Sequence, residues 1–485
     1  MKLYYSMLFI VCAQVLSAQH YESNWESLNK RKIPEWFHQD KFGIFIHWGV
    51  YSVPAFAPVI PNSGYSYSEW YWYRLVEKQK DFIAFHEKNY GVGFNYAQLE
   101  PLFKAELFDP QQWARLFKKS GAKYVVLTSK HHEGYALWPS KEADRDWGRP
   151  WNAVSGAPHR DLLGDLTGAV RGEGLKMGYY YSLYEWFNPL WQKDKPAFIK
   201  DHLFPQFKDL VTHYKPSIIF SDGEWDLKDS DWKSPELLAW LFNESPVAAE
   251  VVVNDRWGSN TREHNTGSTY TTSEYGSGME SNVVWEENQG IGHSYGYNRN
   301  ESLGDYKSSY ELILMLCDIV SRGGNLLLDV GPTGDGRIPV IMQQRLSDIG
   351  DWLEKNGACI YGTEAWKRTR QYSAGKLPEK KNANFMAGYR IVNQVKVRQD
   401  SAYVECFFTQ HGKDLYCILP AYRSSITLKD LPGNHLEAML LETGKELPVR
   451  RKGDEVVVDL SMIRPGEISP SGIFVIKFTS LLNGQ

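Results

Sequence analysis

Asp109-Pro-Gln-Gln-Trp-Ala-Arg-Leu-Phe-Lys-Lys-Ser-Gly-Ala-Lys-Tyr-Val-Val-Leu-Thr128 decides how this chain is read. Asp109 is a residue type that caps a helix, Pro110 suits the first helical position, and Gly121 suits the stop. Trp113, Leu116 and Phe117 share one helical face. Two residues after the glycine the chain turns into an apolar, β-rich run, the mark of a strand buried on both faces. The unit recurs further on. Ser308-x-x-Glu311 reads as a capping box, and Leu312, Met315, Leu316 and Ile319 form a buried stripe. Gly323-Gly324 then stops the helix before Asn325-Leu-Leu-Leu-Asp329.

Outward from these two units, residues 41–47, 176–181, 217–220 and 250–254 are further apolar strand candidates. Strands alternating with helices over roughly 40–356 predict a parallel sheet wrapped by helices, and this length favours a (β/α)₈-like barrel, although fewer than eight units announce themselves. Beyond Thr363 the texture changes to short alternating runs at 402–408, 415–419, 455–459 and 472–477, which predict a C-terminal antiparallel β-sandwich. Its expected role is to pack against the barrel. The expected division is 1–18 signal peptide, 19–362 catalytic domain and 363–485 sandwich, with the polar stretch 376–384 near the last boundary.

The signal peptide is read from Lys2, the apolar run Met7-Leu8-Phe9-Ile10-Val11 and the small residues before Gln19, so an exported, periplasmic or secreted protein is expected. Cys12 lacks the flanking pattern of a lipidated cysteine, and no later run is long and apolar enough to span a bilayer. Among 485 residues the net charge is −4, which leaves no basic surplus for phosphates, so nucleic acid is a poor partner and a neutral substrate a good one. The 18 tryptophans and 29 tyrosines suit the apolar faces of sugars as well as the core. Cys317, Cys359, Cys406 and Cys417 have no paired ligand spacing, so neither a disulfide framework nor zinc is expected. No cofactor is expected either.

In a barrel of this kind the strand C-termini form the active face, so polar residues that end apolar strands come first. His47, His131-His132 and Asp222 all qualify. Asp222 in Ser-Asp-Gly is also ordinary turn chemistry, His131-His132 could be loop or core residues, and His47 could be a satisfied core histidine. Their shared placement after strands favours a site rich in mixed donors and acceptors, the kind sugar hydroxyls require.

Taken together, Phe42-Gly-Ile-Phe-Ile-His-Trp-Gly49, Tyr67-Ser-Glu-Trp-Tyr71, Phe108-Asp-Pro-x-x-Trp113, Thr128-Ser-Lys-His-His-Glu-Gly134, Tyr180-Tyr-Ser182, Ser221-Asp-Gly-Glu-Trp225, Val253-Asn-Asp-Arg-Trp-Gly258 and Gly323-Gly-Asn-Leu-Leu-Leu328 resemble glycoside hydrolase family 29, the α-L-fucosidases, in order and over most of the chain. The resemblance implies a barrel followed by a β-sandwich. It also implies a retaining, exo-acting enzyme that removes terminal α-L-fucose from oligosaccharides or glycoconjugates through two carboxylates. Asp222 stands where the family places its nucleophile. Thr272-Ser-Glu-Tyr275 resembles the segment that carries the acid/base, so Glu274 is preferred over Glu286 and Glu280. The resemblance further suggests His47, Glu69, His131, His132, Tyr181 and Arg256 around the sugar hydroxyls, Trp70 as a flat wall, and Phe45, Phe220 and Tyr295 around the C5 methyl. Phe220 departs from a frequent tryptophan, and Asp329 from a common asparagine. Two rival readings stay open: an α-L-galactosidase on the same scaffold, which would need a polar partner for the C6 hydroxyl, and a fucose-binding protein without catalysis.

Overall fold

A computed structural model describes residues 20–59, 66–263, 267–276, 283–377, 390–398, 400–433 and 436–479. The expected signal peptide and Glu280 lie outside the described residues. Eight parallel strands close a barrel in sequence order. They are β1 (Phe42–Ile46), β2 (Tyr124–Lys130), β3 (Lys176–Ser182), β4 (Ile218–Asp222), β5 (Val252–Asn254), β6 (Thr269–Glu274), β7 (Trp285–Gly290) and β8 (Asn325–Val330). β8 pairs back onto β1, with Phe45 opposite Asp329.

The two opening units fold as their sequences dictate. Asp109 accepts from the Gln112 amide at 3.0 Å, and the helix Pro110–Lys119 buries Trp113, Ala114 and Phe117. Gly121 takes the left-handed φ of +87° that turns the chain into β2. Ahead of helix Ser309–Ser321, Ser308 accepts from the Glu311 amide, but the return half of the expected capping box is absent. The Glu311 carboxylate instead takes the Arg390 guanidinium at 2.8 and 3.0 Å, a stronger partner than a backbone amide.

Six strands match the apolar runs of the sequence, whereas β6 (Thr-Tyr-Thr-Thr-Ser-Glu) and β7 (Trp-Glu-Glu-Asn-Gln-Gly) do not. They are nonetheless buried, because their polar atoms satisfy one another. Glu287 accepts from the Gly276 amide and from Gln289, Asn288 donates to the Ser273 carbonyl, and Thr272 donates to Asp255. Among the described residues no helix lies between β5 and β7.

Alternation sends Phe45, Tyr124, Val126, Tyr180, Ile218, Phe220, Val252, Tyr270 and Leu327 into the barrel as one packed cluster. The short helix Glu35–Asp40 plugs the bottom with Phe37, 4.7 Å from Tyr270 and 6.0 Å from Tyr124, ring centre to ring centre. Gly43 makes room there. A β-carbon on it would lie 2.1 Å from the Tyr124 ring.

After helix Val340–Asn356 come β9 (Glu364–Tyr372), β10 (Val404–His411), β11 (Asp414–Leu419), β12 (Ser425–Lys429), β13 (Ala438–Leu440), β14 (Lys445–Leu447), β15 (Val449–Lys452), β16 (Glu455–Asp459) and β17 (Phe474–Phe478). They form a six-stranded sheet in the order β14-β13-β17-β11-β10-β9 and a three-stranded sheet β12-β16-β15, antiparallel throughout. One face of the larger sheet packs Phe408, Cys417, Leu419 and Ile476 against Ile426, Leu428, Val456 and Val458 of the smaller. Its other face presents Phe407, Ile418, Ile473 and Val475 to the barrel's own hydrophobic core. Polar contacts lock the join. Trp352 donates to the Ile473 carbonyl at 3.0 Å, and Arg370 pairs with Asp318 at 2.7 Å. Cys317, Cys359, Cys406 and Cys417 are free and buried.

Candidate active site

A cavity of about 370 Å³ opens at the C-terminal end of the barrel strands. Asp222 is the last residue of β4 and Glu274 the last of β6. Each is followed by a left-handed residue, Gly223 at φ +73° and Tyr275 at φ +44°, so the chain turns away sharply and leaves the carboxylate at the rim of the sheet. For Tyr275, which has a β-carbon, that conformation costs on the order of 1–3 kcal/mol and is held by its surroundings.

Arg256 joins the two acids. Its Nη1 donates to Asp222 Oδ1 at 2.9 Å, its Nη2 to Glu274 Oε2 at 2.8 Å, and its Nε to Thr272 Oγ1 at 3.0 Å. Tyr180 donates to the other Asp222 oxygen at 2.9 Å, and Tyr67 to the other Glu274 oxygen at 3.3 Å. Burial alone would raise the Asp222 pKa, but the Arg256 and Arg262 guanidiniums outweigh it and hold the carboxyl well below the usual carboxylate range. Asp222 is therefore an anion at neutral pH.

The remaining wall is mixed. His47 Nδ1 lies 2.7 Å from Asp329 Oδ1 in a fully buried pair. Burial and the neighbouring His131 push the histidine's pKa well down, while burial and Glu69 push the aspartic acid's well up. The carboxyl group occupies Nδ1, which leaves the other ring nitrogen, Nε2, for the cavity that His47 lines. Glu69 accepts from the Gly296 amide and Ser294, and burial raises its pKa. His132 Nδ1 meets Ser182 Oγ at 2.6 Å, and its Nε2 meets Tyr180 at 3.1 Å. Phe45 packs at a tilt on Phe220 and edgewise on Tyr295, an apolar corner in a polar bowl.

Of the residues expected here, Asp222, Glu274, His47, Glu69, Trp70, His131, His132, Arg256, Phe45, Phe220 and Tyr295 all line this cavity. Tyr181 does not. Alternation on β3 turns it outward, where it donates to Gln206 Oε1 at 2.8 Å beneath the helices, and Tyr180 takes the inward position instead. Three consecutive buried tyrosines carry no sequence signal for which one faces in; only the register, which sets Tyr180 opposite Phe220, decides. Glu286 also lies elsewhere. It sits in the barrel interior accepting from Tyr124, and burial pushes its pKa up to about 7. The cavity further includes Tyr67, Trp225, Arg262 and Asn288, to which the sequence reading gave no role. Tyr67 and Trp225 lie inside segments already singled out, whereas Asn288 sits on a strand too polar to be recognised.

A closed (β/α)₈-type barrel with two carboxylates at its C-terminal mouth, set in a bowl of hydroxyl-binding groups and aromatic rings, defines a glycoside hydrolase. The profile of the family described as Alpha-L-fucosidase matches residues 8–358. The chain belongs to the alpha-L-fucosidase family. It is 43% identical over 379 residues to the alpha-L-fucosidase of Dictyostelium discoideum, covering 76% of this chain and 80% of that one. It is 43% identical over 373 residues to the human tissue alpha-L-fucosidase, covering 74% and 77%. The crystal structure of Thermotoga maritima alpha-fucosidase in complex with fucose superimposes with a TM-score of 0.75 at 33% identity, covering 95% of this chain and all of that one.

Proposed function

We propose that this protein is a retaining, exo-acting α-L-fucosidase that releases terminal α-L-fucose from glycans, with Asp222 as nucleophile and Glu274 as acid/base. The observation that carries the reading is the single guanidinium of Arg256 gripping both carboxylates. Two acids on the terminal nitrogens of one guanidinium face the same pocket, the pair that a two-carboxylate mechanism needs, and retention is what membership of the family implies.

In the first step Asp222 attacks the anomeric carbon, the bond to the leaving oxygen breaks, and Glu274 gives that oxygen its proton. In the second, Glu274 takes a proton from water, the hydroxide adds to the anomeric carbon, and the ester bond returns its electrons to Asp222. His47 and Glu69 offer polar groups for the ring hydroxyls, and His132 holds Tyr180 against Asp222. The Phe45–Phe220 corner is apolar, as a C5 methyl requires, which supports fucose over L-galactose. Two converging carboxylates likewise speak against a binding protein without catalysis. Export rests on the N-terminal sequence alone and is part of the proposal.

Azide tests the assignment with an aryl α-L-fucoside as substrate. Asp222→Ala should be rescued to the inverted β-azide and Glu274→Ala to the retained α-azide. Wild-type turnover of the α-L-galactoside in preference to the fucoside would overturn the substrate. An α-azide from Asp222→Ala would overturn the roles.

A further inference from the structure

Trp225 is the most exposed of the tryptophans around the cavity, ahead of the half-buried Trp70. Trp186, Trp191 and Trp232 are almost wholly buried, whereas Trp225 leaves 37% of its surface to solvent, three residues beyond Asp222 and on the wall of the same cavity. Isolated exposed apolar side chains are ordinary on a protein surface, but this one is neither isolated nor loosely held. One side of the indole leans on Trp70, 5.8 Å away and 31° from parallel, and on His132 at 5.0 Å.

The backbone beneath it is pinned. Gly223 fits the left-handed turn so tightly that a β-carbon there would come within 2.9 Å of Ser182 Oγ and Tyr184. Trp232 donates its indole N–H to the Glu224 carbonyl at 3.0 Å, and the Glu224 side chain holds Arg262 at 2.6 Å. A fixed loop therefore holds a large apolar ring against water at the mouth of a sugar pocket.

Resting on the fucosidase reading above, we infer that Trp225, backed by Trp70, is the floor of a leaving-group subsite that stacks on the apolar face of the pyranose to which the fucose is attached. The C–H bonds of a pyranose face carry partial positive charge, and the face of an indole is its negative region. A platform fixed before binding loses little freedom when the second sugar arrives. The Trp225 N–H has no partner among the described residues, and Arg262 lies on the same rim, so donors for that sugar's hydroxyls border the platform. The substrate class is accordingly a fucosylated oligosaccharide rather than a fucoside of arbitrary aglycone.

The test compares two donors on wild type, Trp225→Ala and Trp225→Phe. α-L-Fucosyl fluoride has no sugar beyond the fucose, whereas a fucosyl disaccharide cleaved by the wild type does. Trp225→Ala should lower kcat/KM on the disaccharide about five- to tenfold more than on the fluoride, chiefly through KM, with Trp225→Phe between. Added acceptor sugar should also divert fluoride turnover into transfer in the wild type and not in Trp225→Ala. Equal losses on both donors would mean that the ring only props up Asp222, and no loss on the disaccharide would mean that it touches no sugar; either overturns the subsite. A wild type inert toward the fluoride would instead sink the fucosidase reading, and the subsite with it.

Discussion

Strands β1–β4 and strands β6–β7 build one barrel wall by different means. The first four are apolar runs linked through helices, and their burial is hydrophobic. β6 and β7 carry threonines, glutamates and asparagine, have no helix among the described residues connecting them, and are buried with carboxylates, amides and hydroxyls paired to neighbouring chain. The candidate nucleophile ends a strand of the first kind and the candidate acid/base a strand of the second. An attacking group must point at one carbon and gains from a stiff support, whereas a group that gives and then takes a proton meets different partners in two steps.

The largest test of this contrast is Asp222→Ala, expected to lower kcat on a natural glycan by at least about 10³-fold whatever the leaving group. Because Arg256 and Arg262 hold the Asp222 carboxyl below the usual range, its loss of charge should not shape kcat/KM until the pH falls beneath that range. Glu274→Gln should be selective: about 10²- to 10⁴-fold loss on a glycan, and far less on fucosyl fluoride, whose leaving group needs no proton. Equal loss on both substrates would erase the distinction between the two halves.

Smaller effects fall on stability. Gly43→Ala puts a methyl group into the Tyr124 ring on the apolar side of the barrel and should cost about 1–3 kcal/mol in denaturant unfolding with little change in activity. On the polar side, burial pushes the pKa values of Glu286 and Glu287 up to about 7. Between about pH 4.5 and 7 the folded chain then holds protons that the unfolded chain has lost, so stability is greatest below that window and falls as pH rises through it. Glu286→Gln should flatten this slope by on the order of 2–3 kcal/mol, read from unfolding curves across that range. An unchanged slope would show that the strand tolerates charge.

The same contrast explains what was legible. Apolar strands declare themselves by composition, so β1–β5 and β8, and with them His47, His131, His132 and Asp222, could be placed from the residues. Nothing in Thr-Tyr-Thr-Thr-Ser-Glu or Trp-Glu-Glu-Asn-Gln-Gly marks a buried strand, because its burial depends on partners supplied by neighbouring chain. Glu274 was therefore reachable only through resemblance, and Asn288 was not reached. Tyr181 was misplaced for a different reason: where both faces of a strand are apolar, facing is a property of register and not of residue type.

The larger C-terminal sheet turns one of its faces into the barrel's own core, with Phe407, Ile418, Ile473 and Val475 filling it alongside the outer helices. Heat should consequently meet one cooperative unit: a single calorimetric transition whose van't Hoff and measured enthalpies agree. A chain cut near residue 362 would bare those helices to water and should aggregate, though every residue proposed for chemistry is still in it.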